Sequence, residues 1–481
     1  MTTKIVASAP TQDMAEAEVL RKAQLARHAA GLWRRYSLSQ RVDIIRALWK
    51  DLSSRKQELL RIVHEETGKP FAEVSAMEIS TVNMIVNYFT SNAHRILQDQ
   101  AAWRPWLLLN KRTFTRFVPR GVIGLITPWN LPFMIPMGDA FAALLAGNAV
   151  LLKPSEWTTR TALWAEEAIK ATGLLPEGLF TVVTGGAKVG AQVIAESDMV
   201  LFTGSTRSGR LVAQAAAADL KPAILELGGK HPMIIFKDAS LERAAKAAVW
   251  GSFANCGQVC VGVERVYVEN EVYDRFVELV RREMATLRQG LRPDNVDIGR
   301  LIFPPQLGRI VEQLEDARAK GAKVFGGEVL DEANLLISPA LVLEATHAMK
   351  VMTEETFGPV MPVMRVDRGE DAIRLSNNGP FGLAASIWTQ DLDKADLLGS
   401  SVEAGILGVN DLMSHYAIAS LPFGGIKSSG LGRRHSDEGL RTFCWSQAVY
   451  VHEWPASAPE LWWFPYDAFK TRLVDLISKL A

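Results

Sequence analysis

Between residues 122 and 203 the chain carries four short runs, Val122-Ile-Gly-Leu-Ile126, Ala149-Val-Leu-Leu152, Leu179-Phe-Thr-Val-Val183 and Met199-Val-Leu-Phe-Thr203, that are apolar almost throughout rather than at every second position. A strand with one wet face alternates, whereas a strand without alternation has both faces covered, as in a parallel sheet flanked by helices. Alanine-rich stretches of helical length, Thr161 to Thr172 and Arg210 to Ala218, separate these runs. The pattern predicts an α/β fold with a parallel sheet. Most of the runs end in a tight polar or glycine turn: Thr127-Pro-Trp-Asn130, Lys153-Pro-Ser-Glu156, Thr184-Gly-Gly186 and Thr203-Gly-Ser205. In a doubly wound sheet such turns line the carboxyl edge, where nucleotides bind. The GxGxxG fingerprint is absent. Gly204-Ser-Thr-Arg-Ser-Gly209 is a strand-to-helix glycine turn whose helix N-terminus offers backbone N–H groups to a pyrophosphate.

A second series of the same kind follows in Met233-Ile-Ile-Phe236, Arg265-Val-Tyr-Val268, Lys323-Val-Phe325, Met361-Pro-Val-Met364 and Ala384-Ala-Ser-Ile-Trp388, which predicts a second α/β domain. Ahead of both, from Ala15 to about Leu60, alanine, leucine, arginine and glutamate dominate, and the spacing of Ile45, Leu48 and Leu52 suits an amphipathic helix. The 481 residues suggest roughly three domains at about 150 residues each. Leu131 to Leu152 holds only Asp139 and Asn148 as strongly polar residues, but Pro132, Pro136, Gly138 and Gly147 interrupt it. It reads as a buried helix near 136 to 146 followed by a buried strand, not as a membrane span.

Lysine plus arginine (53) equal aspartate plus glutamate (53), which removes the positive field of a nucleic-acid-coating protein and favours small-molecule ligands. Three cysteines, Cys256, Cys260 and Cys444, cannot form a disulfide framework and fit a reducing compartment. No CxxC pair or Cys/His cluster of zinc-site spacing occurs, so no metal site is expected. Met1-Thr-Thr-Lys-Ile-Val-Ala-Ser has no apolar run of signal-peptide length, and the expectation is a cytoplasmic enzyme.

Two motifs carry chemistry. Phe253-Ala-Asn-Cys-Gly-Gln-Val-Cys260 and Glu226-Leu-Gly-Gly-Lys230 set a thiol and a carboxylate in glycine-punctuated sequence, read as lying outside regular elements. A deprotonated thiol attacks a carbonyl carbon, and a carboxylate can draw a proton from the water that later frees the acyl group. In these segments, and in Thr127-Pro-Trp-Asn130, Lys153-Pro-Ser-Glu156, Phe202-Thr-Gly-Ser205, Glu354-Glu-Thr-Phe-Gly-Pro359 and Pro422-Phe-Gly-Gly-Ile-Lys-Ser-Ser-Gly430, the chain resembles the aldehyde dehydrogenase family over roughly Ala15 to Val451.

The resemblance implies an NAD(P)-dependent oxidation of an aldehyde to a carboxylic acid. Cys260 is then the nucleophile, Glu226 the base that activates water, and Asn130, with the Cys260 backbone N–H, the donor to the tetrahedral oxyanion. Cys256 takes the variable position of its motif and is expected to be a bystander. Relatives that pass the acyl group to coenzyme A commonly lack the base, so Glu226 favours hydrolysis. The implied cofactor residues are Ile126, Trp129, Lys153, Glu156, Gly204, Ser205, Glu355 and Phe357. A carboxylate at Glu156 suits ribose hydroxyls and repels a 2′-phosphate, which favours NAD, although Arg207 could pair with that phosphate and leaves NADP open. The alternative is a catalytically idle nucleotide-binding or structural relative.

The resemblance further implies a Rossmann-type nucleotide-binding domain (1–102 and 119–228), a catalytic domain (229–443), and a small β oligomerisation element with a C-terminal tail (103–118 and 444–481) that makes homodimers or homotetramers. Arg433-Arg-His435 and Val263-Glu-Arg-Val-Tyr267 resemble a branch that includes some bacterial succinate-semialdehyde dehydrogenases, in segments read as framework. Past the strand-like Gln447 to Glu453 comes an aromatic stretch, Leu461-Trp-Trp-Phe-Pro-Tyr466, and then Leu473 to Leu480, with apolar residues 473, 477 and 480 on one helical face. Packing on the protein itself or on a second subunit is the reading taken; peripheral membrane contact stays open as the other.

Overall fold

The computed structural model describes residues 10–454, 460 and 462–479. The N-terminal stretch read for a signal, and Leu461 and Leu480 of the tail, lie outside the described residues. Two compact units divide the chain: Met1–Ile96 with Pro119–Cys444, and Leu97–Val118 with Trp445–Ala481.

The first unit holds two largely parallel sheets. In the six-stranded sheet the order is Gly430–Leu431, Ala223–Glu226, Met199–Thr203, Val122–Ile126, Ala149–Lys153, Phe180–Val182. Only the Gly430–Leu431 strand runs antiparallel, pairing Gly430 with Glu226. Chain order therefore reverses beside Val122–Ile126, the switch point of a doubly wound sheet, and the crevice opens past Ile126 and Thr203. All five residues of Val122–Ile126 and of Ala149–Lys153 are buried, which is why these runs do not alternate. Each Val, Leu or Ile side chain so buried contributes roughly 1.5–3 kcal/mol. The seven-stranded sheet has the order Lys323–Phe325, Ala340–Leu343, Val360–Val366, Val263–Glu269, His231–Ile235, Ala384–Trp388, Ile406–Val409, with Lys323–Phe325 antiparallel.

The N-terminal region forms three helices rather than one, Glu16–Trp33, Leu38–Ser54 and Lys56–Thr67. The middle one starts where Ser37 Oγ accepts from the Gln40 N–H and Gln40 Oε1 accepts from the Ser37 N–H, a reciprocal cap. Its buried face is Val42, Ile45, Leu48, Trp49 and Leu52. The apolar run beginning at Leu131 becomes the helix Met134–Leu145, buried at every position, and then the strand Ala149–Lys153. The helix start is held by Glu78, whose Oε2 accepts the Phe133 (3.0 Å) and Met134 (2.9 Å) N–H groups. Glu78 itself is fully buried and paired with Lys69.

In the second unit Gln100–Ala101 pairs antiparallel with Lys111–Pro119, and Cys444–His452 completes a three-stranded sheet. Lys111 pairs with Glu460, and Arg112 with Glu453 at 3.1 Å. The tail helix Ala468–Ser478 opens at Asp467, whose side chain accepts the Lys470 N–H at 2.7 Å. Leu473 and Ile477 are half-buried on one face, while Phe469, Val474 and Leu476 are exposed. No helix among the described residues is long and apolar enough to cross a membrane.

Candidate active site

The helix Leu241–Phe253 gives way to a single tight turn, Ala254–Gly257, that leads to Cys260. Asn255 and Cys256 both take left-handed backbone angles (φ 52° and 55°), a conformation that costs a non-glycine residue on the order of 1 kcal/mol and needs outside support. The motif's own amides supply it. Asn255 Nδ2 donates to the Asn130 and Gln258 carbonyls (both 3.0 Å), and Gln258 Nε2 donates back to the Asn255 carbonyl at 2.8 Å. Gln258 Oε1 accepts the Ile302 N–H at 2.8 Å, and Glu73 Oε1 accepts the Asn255 N–H at 2.7 Å. Glycine is required at two contacts. A Cβ on Gly257, whose φ is +72°, would overlap the Gly358 carbonyl, and one on Gly229 would come within 2.7 Å of the Cys260 carbonyl oxygen.

Cys260 is part-buried and lines a cavity of about 210 Å³; Cys256 is fully buried, and both thiols are free. Burial, reinforced by the nearby Glu226 charge, pushes the Cys260 thiol up to about 12. At neutral pH it therefore rests protonated.

Glu226 is the last residue of the strand Ala223–Glu226, not part of a loop as the following glycines suggested. Its backbone carbonyl accepts the Gly204 N–H at 3.0 Å, which ties it to the glycine turn of the neighbouring strand. Its carboxylate lines the same cavity as Cys260, is 3% exposed, and neither oxygen has a hydrogen-bond partner. Among the described residues it caps no helix and forms no ion pair. Burial pushes it up to about 8, against the pull of Arg434. A carboxyl poised there exchanges its proton near physiological pH, as a general base must.

Arg434 was read as framework, but the structure puts it in the cavity wall. There it forms a two-pronged pair with Asp139, Nε to Oδ1 at 2.9 Å and Nη2 to Oδ2 at 2.6 Å. The lone acid in the apolar helix Met134–Leu145 is thus the counter-ion of a buried guanidinium. Tyr416 lines the cavity too, its buried hydroxyl without a partner.

Asn130 is buried and does not line the cavity; its Nδ2 donates to the Gln258 carbonyl at 2.9 Å, two residues ahead of Cys260. A primary amide carries a second N–H. On another side, Glu355 Oε1 accepts the Gly229 N–H at 2.9 Å, and burial pushes the carboxyl up to about 7. Phe357, at φ 50°, gives its N–H to Glu264 Oε1 at 2.8 Å. Glu264 Oε2 accepts the Thr356 N–H (3.0 Å) and Lys230 Nζ (2.7 Å). Trp129 stacks on Phe303, with centroids 5.7 Å apart, and meets the Phe357 ring edge-on at 5.5 Å.

The remaining predicted residues gather at the carboxyl edge of the six-stranded sheet. Ile126 ends its strand, buried. Lys153 Nζ donates to the Gly185 (2.6 Å) and Pro154 (2.9 Å) carbonyls and lies 3.8 Å from Glu156 Oε2, whose side chain is one-third exposed. Ser205 caps the helix Thr206–Ala218, its Oγ accepting the Ser208 N–H at 3.3 Å, with Gly204 just before it. Arg207 is exposed in the first turn.

Sequence reasoning did not assign the roles of Asn255 and Gln258 in holding the turn, of Glu264 beneath Phe357, or of Arg434, Asp139 and Tyr416 at the cavity. The amide-rich spacing of the Cys260 motif and the isolated acid at 139 were the available signals.

The sequence profile of the Aldehyde dehydrogenase family matches residues 1–449. The chain is 38% identical over 444 residues to the 4,4′-diapolycopene aldehyde oxidase of Methylomonas sp, covering 92% of this chain and 83% of that one. It is 37% identical over 424 residues to the succinate-semialdehyde dehydrogenase (NADP(+)) GabD of Escherichia coli (strain K12), covering 87% and 86%. Among solved structures it is similar to the Mycobacterium tuberculosis aldehyde dehydrogenase complexed with NAD+, with a TM-score of 0.86, 32% identity, and coverage of 93% of this chain and 92% of that chain. With a matching profile over nearly its whole length, relatives well above 30% identity and a doubly wound sheet feeding a cysteine–carboxylate cavity, the chain belongs to the aldehyde dehydrogenase family.

Proposed function

We propose that the protein oxidises an aldehyde to a carboxylic acid through a thioester on Cys260, which water activated by Glu226 then hydrolyses. The observation that carries the reading is the pairing of a thiol and an unbonded, buried carboxylate on one cavity wall. Cys260 gives up its thiol proton to solvent water and Sγ adds to the carbonyl carbon, giving a thiohemiacetal oxyanion for which the Cys260 N–H and the second N–H of Asn130 are the donors. A nicotinamide dinucleotide, when bound, supplies the two-electron acceptor that takes this adduct to the thioester. Glu226 then takes a proton from water, the hydroxide adds to the thioester carbonyl, and the Cys260 thiolate leaves.

The residues at the sheet edge fit that dinucleotide. The capped helix after Gly204-Ser205 offers free N–H groups to a pyrophosphate, and the half-open Glu156 carboxylate suits ribose hydroxyls. Ile126, Trp129 and Lys153 would form the adenosine and phosphate side. Glu355 and Phe357, held through Gly229 and Glu264, would take the nicotinamide ribose. Relatives differ in cofactor, since one is solved with NAD+ and another is named for NADP(+). The Glu156 carboxylate favours NAD here.

Residues 1–102 and 119–228 then serve as the nucleotide-binding part, 229–443 as the catalytic part, and 103–118 with 444–481 as the oligomerisation element of a homodimer or homotetramer. The test is NADH formation with a panel of aldehydes and release of free acid. Cys260→Ala should lower kcat by about four orders of magnitude or more. Failure of every aldehyde returns the chain to the idle-relative reading.

A further inference from the structure

Relatives named for a polyene aldehyde and for a carboxylate-bearing semialdehyde are almost equally similar to this chain. Kinship therefore does not choose between an apolar and a charged substrate, but the cavity does. Away from Cys260 and Glu226 its wall is built chiefly from Met77, Leu131, Met134, Val259, Met413 and Phe423, with Trp250, half-exposed, at its rim. Unbranched methionine side chains adapt to the shape of an elongated apolar guest.

A carboxylate carried at the far end of a substrate needs a cation. The one cation among the lining residues described, Arg434, has Nε and Nη2 on Asp139, has Nη1 against Thr203 Oγ1 at 3.4 Å, and is 4% exposed. It is neutralised before any substrate arrives. The other titratable acid on the wall, Glu226, offers a carboxylate no positive charge and, once ionised, would repel it. The remaining polar lining groups are hydroxyls, of Thr81, Thr203, Ser414 and Tyr416. They can solvate a carbonyl but cannot replace the hydration of a carboxylate.

We infer, resting on the function proposed above, that the cavity takes an elongated apolar aldehyde, alkyl or polyenyl, and discriminates against aldehydes that carry a carboxylate. Each methylene moved from water to this wall should raise kcat/KM about fourfold until the cavity is filled.

The experiment compares kcat/KM for butanal, octanal, decanal and succinic semialdehyde on the intact enzyme. Octanal should exceed butanal on the order of a hundredfold, and succinic semialdehyde should fall below butanal. Met77→Arg, which adds an unpaired cation to the wall, should lower decanal turnover and raise that of succinic semialdehyde. A flat dependence on chain length, or succinic semialdehyde as the best substrate, overturns the inference while leaving aldehyde oxidation standing. A separate calorimetric titration of Cys260→Ala with decanal and with succinic semialdehyde reads the wall without chemistry. Preferential binding of decanal there, with no NADH from any aldehyde on the intact enzyme, keeps the cavity assignment and removes the proposed function; no preference removes the assignment.

Discussion

Two carboxylates near the nucleophile, Glu264 and Glu226, are almost equally buried, 5% and 3% exposed, yet their surroundings are opposite. Glu264 is saturated: a lysine ammonium, Lys230, and two backbone N–H groups, from Thr356 and Phe357, fill its oxygens at 2.7–3.0 Å. The Glu226 carboxyl has no hydrogen-bond partner among the described residues and is pushed up to about 8. Burial alone therefore does not mark a reactive acid. A buried carboxylate with both oxygens engaged is a fixed joint between loops, whereas one left bare can take and release a proton at little cost in rearrangement.

The largest expected effect that tests this contrast is catalytic. Glu226→Gln should lower kcat by about three orders of magnitude, ~4 kcal/mol, while a first-turnover burst of NADH persists because hydrolysis, not oxidation, has lost its base. A loss smaller than tenfold would break the comparison. Glu264→Gln should act on the fold instead, costing at least ~3 kcal/mol in denaturant unfolding, because it leaves the buried Lys230 ammonium without its counter-charge. Adding Lys230→Met to that variant should recover part of the loss, since the unpaired charge goes with it.

The pH dependence sharpens the same contrast. If deacylation needs ionised Glu226, kcat should rise nearly tenfold per pH unit below about 8 and then level off, about fiftyfold between pH 6 and 8, and the inflection should vanish in Glu226→Gln. The remaining effect is on stability. A carboxyl raised from 4.5 to about 8 binds more protons folded than unfolded across that window, so wild-type stability should fall as pH rises through it. Glu226→Gln should lack this slope and be the more stable protein at pH 8, with the gain fading toward pH 5 in thermal melts.

The central strands were legible because burial on both faces imposes a continuous apolar run, which Val122–Ile126 and Ala149–Lys153 display without interruption. The N-terminal helices were legible as helical but not as three, since their breaks rest on local devices such as the Ser37–Gln40 cap rather than on any change in periodicity. At the site, Cys260 and Glu226 could be picked out because glycines and amides crowd both motifs. Arg434 could not be placed: its partner Asp139 lies 295 residues earlier, and a pairing of that range leaves no local signal. Nor could Glu226 be seen as a strand terminus, because Leu227-Gly-Gly229 after it reads as loop while the pairing with Thr203 and Gly430 keeps it in the sheet.

The backbone contact between Gly257 and Gly358 has one further consequence. A side chain at Gly257 has no room between the nucleophile's turn and the segment carrying Phe357, so this position of the reactive centre is closed to every residue but glycine. Met77 and Trp250, whose side chains are partly open to solvent, are under no such constraint. Adaptation to new aldehydes, in nature or by directed evolution, should accumulate at those two positions and their neighbours while Gly257 stays invariant.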